Sequence, residues 1–245
     1  MTRIVISQPM FFPWRGLFEQ IRLADIYIHL MDVPLPQGRS FMNRVQIKTP
    51  TGNPWLSAPL NRSTGPTIES VEFSNDTNWR QEHLRTLKQW YAKAPFAQDM
   101  LDMAESLYNQ PTQNLATFNC RAIEQIASYY DFHPVFMDSR DLAVSSKGSD
   151  KILKLVQAVN GTDYITGHGA KNYLEHPVFE AHGIEVHYMD YQCLPYPQLH
   201  GPFIPYVSIL DLIANTGRKG RDTIVSGVLP WRQVVSTDSS GVEPG

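Results

Sequence analysis

The chain has 245 residues, 42% of them hydrophobic and 18% charged, globular proportions that bury one substantial core or two small ones. Its formal charge of -3 at pH 7 gives no basic excess with which to neutralise phosphates, so no nucleic-acid partner is expected. Cys120 and Cys193 form no disulfide framework or metal knuckle, and neither a secretion signal nor a bilayer-length apolar run is present, so a cytoplasmic chain without membrane contact is expected.

Ile4, Val5 and Ile6 predict a short buried strand, which Gln8 and Pro9 end because proline withdraws a backbone donor. A loop rich in proline and aromatic rings follows, closed by Gly16. Leu17, Ile21 and Ala24 then recur at helical spacing, and residues 26–30 read as a second strand running to Asp32. Such a β-loop-α-β unit makes a right-handed crossover within a parallel sheet, and ligands of parallel sheets collect beyond the carboxyl ends of the strands. Gln8 and Asp32 stand at those ends. Pro9, Phe11, Phe12, Pro13 and Trp14 form either a rigid, partly buried loop or the wall of a substrate pocket.

A turn over residues 34–38 leads into alternating residues 41–48, the turn of residues 50–53 and WLSAPL, together a β-hairpin. Asn43 and Arg44 point to opposite faces of it, and whichever faces inward needs a partner. Residues 67–73 predict a further short strand. A helical middle third follows, with Asn75 or Asp76 capping a helix that runs to Ala94 and further helices over residues 100–108 and 115–130. His83 shares a face with Trp79 one turn away. It is either a hydrogen-bonded packing residue or, with an ordinary pKa suited to proton transfer, a catalyst.

The pattern then returns to α/β, with a strand at residues 134–137, an amphipathic helix over 150–159, Gly161 as its left-handed cap, and a strand over 162–166. At the next junction Gly167 and Gly169 stand before a predicted helix carrying Lys171 and Tyr173. That is either a glycine-bearing turn with a surface lysine or a place where backbone amides approach a phosphate or carboxylate. A strand over residues 184–188, an irregular proline-broken stretch containing Gln198, and a helix over 208–215 complete the pattern. Ser208 either caps that last helix or contacts a ligand, and Asp211 either faces solvent or pairs internally. The eight histidines show no paired spacing for a metal, so none is expected.

The segments SQPMFFPWRGLFEQIRLADIYIHLMDV, NRVQIKT, WLSAP, NWRQEHLRTLKQWYAKAPF, YITGHGAKNYL, YPQ and FIPYVSILDLIANTG together resemble the WbqC-like family. The first follows that family's opening pattern HQPxxxPWxGxxxxIxxADxxxxxDDV, with Ser7 in place of the usual histidine and Met31 where an acidic pair begins. The resemblance implies a role near bacterial surface-polysaccharide (O-antigen) biosynthesis, as an acyl or glycyl transferase forming an amide on an amino-sugar nucleotide. The family's polar positions fall on Gln8, Asp32, Asn43, Arg44, His83, Lys171, Tyr173, Gln198, Ser208 and Asp211. In that chemistry His83 or Asp32 would be the base. Arg44, Asn43 or the Gly167 and Gly169 amides would hold an oxyanion or phosphate, and Gln8, Tyr173 and Gln198 would hydrogen-bond a sugar. The alternatives are a nucleotide-dependent ligase or nucleotidyltransferase-like enzyme, and a non-catalytic sugar-binding module.

The expected architecture is one α/β domain over residues 1–235, with residues 236–245 a disordered tail. Its mainly parallel sheet is flanked by helices and carries a small antiparallel hairpin insertion and a helical middle section. The pocket is expected where the Gln8 loop, Asp32, the Asn43–Arg44 strand and the Gly167 turn meet. It would serve a small-molecule partner, a sugar nucleotide or acyl donor, and no cofactor is specified.

Overall fold

The computed structural model describes all but residues 37–39, 62–66, 76 and 240–245. In chain order, β1 (Arg3–Ser7), α1 (Arg15–Leu23) and β2 (Ile26–His29) form the opening unit, and β1 and β2 pair in parallel with Ile4 opposite Ile26. Two small antiparallel hairpins follow, β3 (Arg44–Gln46) with β4 (Trp55–Ser57), and β5 (Leu60–Asn61) with β6 (Glu72–Phe73). The helical third is α2 (Trp79–Tyr91), α3 (Ala97–Tyr108) and α4 (Leu115–Tyr129). Then come β7 (Val135–Asp138), α5 (Gly148–Ala158), β8 (Asp163–Thr166), α6 (His176–Ala181), β9 (Glu185–Tyr191), α7 (Ile209–Thr216), β10 (Ser226–Pro230) and α8 (Trp231–Ser239).

Six strands make the main sheet in the order β10-β9-β8-β1-β2-β7, all parallel except β10 at one edge. From β1 the chain moves out to β2 and β7, then returns past β1 to build β8, β9 and β10 on its other side. The connections therefore diverge between β1 and β8, which opens a crevice beyond the carboxyl ends of those two strands. Both faces of the sheet are covered, and its central strands β1 and β2 read as near-continuous apolar runs, whereas β8 and β9 mix Asp163, Glu185, His187 and Asp190 with apolar residues. Val5, Tyr27, Ile165 and Met189 join the core under α1, α2, α3, α4 and α7. Ile4, Ile6, Ile28, Tyr164, Val186 and Tyr188 join a second core under α5, α6 and α8.

Four local expectations are revised. Residues 67–73 are not one strand: Thr67 and Ser70 exchange side-chain and backbone hydrogen bonds around a 3₁₀ turn, Ile68–Ser70, and only β6 remains extended. Such local bonds compete with a ladder for the same backbone groups. At the end of α5 the left-handed residue is Asn160 (φ 54°), and Gly161 donates to the Val156 carbonyl at 2.9 Å. This is a Schellman closure with asparagine in the left-handed place. Gly161 is required for packing, because a Cβ there would come within 2.3 Å of the Ile4 side chain.

β10 carries Gly227 and Pro230, residues that argue against a strand unless it lies at a sheet edge, which is where it lies. α8 continues through residue 239, four residues into the stretch expected to be a tail, while residues 240–245 lie outside the described residues. Asp76, one of the two expected caps, also lies outside them, as does part of the turn over residues 34–38, and the residue preceding α2 is Asn78.

Candidate functional site

A cavity of about 650 Å³ occupies the crevice between the ends of β1 and β8. Ser7 and Gln8 enter it from the end of β1, and Thr166, Gly167, His168 and Gly169 from the end of β8. Trp14 and Gln20 face it from the loop after β1 and from α1, Tyr191 from the end of β9, and Tyr173 and Tyr206 from exposed positions at its rim. Ile6, Leu30, Met42, Val45 and Ile152 supply apolar lining. Among the described residues no Asp, Glu, Lys or Arg lines it.

The wall is held by contacts that explain the local sequence. The Trp14 ring lies 5.0 Å from Tyr191 and 5.1 Å from Tyr206, centroid to centroid. Its backbone is bridged to Ser208, and Ser208 Oγ donates to the Phe12 carbonyl (3.0 Å) while accepting from the Leu210 amide at the start of α7. Ser208 thus caps α7 and ties it to the aromatic loop. Phe11 and Phe12 are fully buried in the core, so the loop divides into these packing residues and a cavity wall made by Met10, Pro13 and Trp14. Gln20 Nε2 donates to the Tyr191 hydroxyl at 2.7 Å. Burial pushes the Tyr191 phenol well above its ordinary pKa, so it stays protonated.

Of the residues expected at a site, Gln8, Trp14, Gly167, Gly169 and Tyr173 stand together at this cavity. His83 does not. It is enclosed by Phe11, Trp79 and Tyr108, with Nε2 3.1 Å from the Ser57 carbonyl and Nδ1 2.9 Å from the Tyr108 hydroxyl. A carbonyl only accepts, so Nε2 carries the proton and Tyr108 donates to Nδ1. Desolvation lowers its pKa to about 4 and keeps the ring neutral.

Asp32 accepts from Lys151 Nζ and from Ser139 Oγ, each at 2.6 Å. Burial works against its charge, but those two bonds outweigh it and hold the carboxyl below its usual pKa. Asp32 lies two residues after the cavity residue Leu30 and Lys151 immediately before Ile152, with their charges committed to each other.

Asn43 Nδ2 donates to the Ala58 carbonyl at 2.7 Å, and the Arg44 guanidinium stacks 4.6 Å over Trp55, leaving their neighbours Met42 and Val45 to face the cavity. Gln198 accepts from Lys48 Nζ and the Ile204 amide and donates to Tyr196 and the Ile204 carbonyl. Asp211 accepts from the Tyr91 and Tyr196 hydroxyls at 2.9 Å each, and burial raises its pKa. These last two residues belong to one buried network that fixes the irregular segment before α7. Lys171 lies on a 3₁₀ turn, His168–Asn172, and is not among the lining residues. The segment after Gly167 is therefore one short turn, and the cavity offers neutral hydrogen bonding where a phosphate cradle was one expectation.

Gln20, His168, Tyr191 and Tyr206 line the cavity without having been singled out as site residues. The signal for Tyr191 was present: β9 runs to residue 191, so its last residue reaches the ligand end of the sheet, whereas a strand ending at residue 188 leaves it out. At the opposite end of β8 and β9, His187 Nε2 lies 3.6 Å from Asp163 and 3.3 Å from Glu185. Glu185 and His187 share a face of β9 two residues apart, and the β8–β9 register brings Asp163 to them.

A model of the WbqC-like protein family matches residues 8–223. The uncharacterized protein Rv1507c of Mycobacterium tuberculosis (strain ATCC 25618 / H37Rv) is 30% identical over 226 residues, covering 91% of this chain and 97% of that protein. No solved structure matches the chain. No helix among the described residues is long and apolar enough to cross a membrane. With the family model spanning nearly the whole chain, from the Gln8 end of β1 to the turn after α7, this protein belongs to the WbqC-like family.

Proposed function

We propose that the cavity between β1 and β8 binds an amino sugar carried on a nucleotide, and that the protein forms an amide on that amine by acyl or glycyl transfer in O-antigen biosynthesis. Family membership suggests a role associated with polysaccharide biosynthesis. The observation that carries the finer reading is the chemistry of the wall. Gln8, Gln20 and Thr166 offer uncharged donors and acceptors beside the rings of Trp14, Tyr173 and Tyr206. Amides satisfy sugar hydroxyls in both directions, and aromatic rings give a large apolar face for the C–H side of a pyranose. The transfer needs a proton acceptor for the attacking amine and donors for the carbonyl oxygen. Incubating the protein with a nucleotide-linked amino sugar and a panel of acyl and glycyl thioesters tests the proposal, with amide product read by mass spectrometry. Tight binding of the sugar nucleotide without product from any donor would instead favour a non-catalytic binding module.

A nucleotide-dependent ligase is the second reading, favoured by the strand order, which is that of doubly wound nucleotide-binding sheets with their ligand in the same crevice. Among the described residues the lining holds no Lys or Arg for phosphate oxygens, which weighs more heavily against a triphosphate than against the less charged diphosphate of a sugar nucleotide. Thermal stabilisation by ATP with magnesium, and none by sugar nucleotides, would favour the ligase.

A further inference from the structure

We propose that His168 is the proton acceptor of this cavity and Tyr191 the donor that meets the reacting carbonyl oxygen, an assignment that rests on the amide-forming reading above. His168 Nε2 lies 2.7 Å from the Met189 carbonyl oxygen. A carbonyl can only accept, so Nε2 carries the proton, and a neutral imidazole has only one. Nδ1 is therefore an acceptor, with no donor to it found among the described residues, on a residue that lines the cavity. The same bond to Met189 steadies the ring once it is protonated, because a charged donor strengthens it.

Tyr191 has the complementary inventory. Its oxygen already accepts from Gln20, and no acceptor for its own hydrogen is found among the described residues. The phenol stays protonated for the reason given above, so this hydrogen is available to the ligand. Trp14 packs against the Tyr191 ring, and His168 lies 6.1 Å from it, centroid to centroid. Gly167 completes the arrangement: a Cβ there would sit 3.4 Å from the Tyr191 hydroxyl.

In the transfer, the sugar amine attacks the thioester carbonyl carbon and a C–N bond forms. The oxygen, gaining negative charge, takes the Tyr191 hydrogen bond. The proton leaving nitrogen passes to His168 Nδ1, the C–S bond breaks, and the departing thiolate takes that proton from His168. An amine and a thioester thus become an amide and a thiol.

The test has two readouts on the full chain. In protein labelled with ¹⁵N-histidine, with His168 assigned by the signals lost in His168→Ala, the neutral ring should be the Nε2-protonated tautomer. An Nδ1-protonated ring overturns the inference whatever the cavity binds. In the transfer assay with UDP-glucosamine and an acyl thioester, His168→Ala should lower kcat by roughly 10²–10⁴-fold and Tyr191→Phe by about 10²–10³-fold, with the sugar-nucleotide KM changing only a few-fold. Undiminished turnover in either variant overturns the corresponding assignment. If the tautomer is as expected but wild-type protein makes no amide from any donor, the amide-forming reading falls and takes the catalytic roles with it. The acceptor and donor in the wall would then still stand.

Discussion

The indole of Trp14 rests on the backbone of Gly16: a Cβ at position 16 would come within 2.1 Å of the ring. Because Gly16 lies in the first turn of α1, the helix start and the cavity wall share one contact. Gly16→Ala should therefore displace Trp14, weaken ligand binding by tenfold or more, and cost about 1–3 kcal/mol of stability, as overpacking does. Tryptophan fluorescence and urea unfolding read both effects.

Gly169 is the opposite case. A Cβ there meets no atom within 4 Å, and the residue lines the cavity. Gly169→Leu should fill the site without straining the fold, abolishing ligand binding while stability changes by under about 1 kcal/mol, within the range of an ordinary surface substitution. Paired calorimetric binding and thermal unfolding measurements check this.

His83 should act on stability and not on chemistry. Its folded pKa of about 4 lies below the ordinary 6.5, so between these values the unfolded chain binds more protons than the folded one. Stability therefore rises with pH across that window, by up to roughly 3 kcal/mol for this group, and is fully present above the unfolded pKa. Urea unfolding from pH 4 to pH 7 should show this slope, and His83→Gln should flatten it while leaving transfer per folded molecule unchanged.

The Asp32–Lys151 pair makes a second pH signature. Lys151 has a side chain only 5% exposed, so Asp32→Ala leaves its ammonium, among the described residues, with the Val144 carbonyl as its hydrogen-bond acceptor. The expected loss is about 3 kcal/mol, and replacing both partners with apolar residues should recover most of it. Asp32's pKa is lowered by folding, so its contribution is present above the unfolded carboxylate pKa and is lost as the pH falls through the folded value. Denaturant titrations of the single and double variants separate these outcomes.

The centre of the sheet was legible because β1 and β2 are buried on both faces and so announce themselves as short apolar runs. β10 was not, since Gly227 and Pro230 are tolerated only by its edge position, a property of the assembled sheet. Gln8 and Gly167 could be placed at one end of the fold because strand ends follow from local pattern. The partners of His83, Asn43, Gln198 and Asp211 come from distant segments, as when Tyr91 and Tyr196 close on Asp211. From the sequence, such residues look the same whether they wait for a ligand or are already satisfied.

Titration calorimetry of UDP-glucosamine against the wild-type chain and Gly169→Leu tests the central claim most directly. Saturable binding to the wild type that vanishes in Gly169→Leu is the predicted result. Equal heats for the two proteins, or no heat with the sugar nucleotide alongside clear binding of ATP with magnesium, would contradict it.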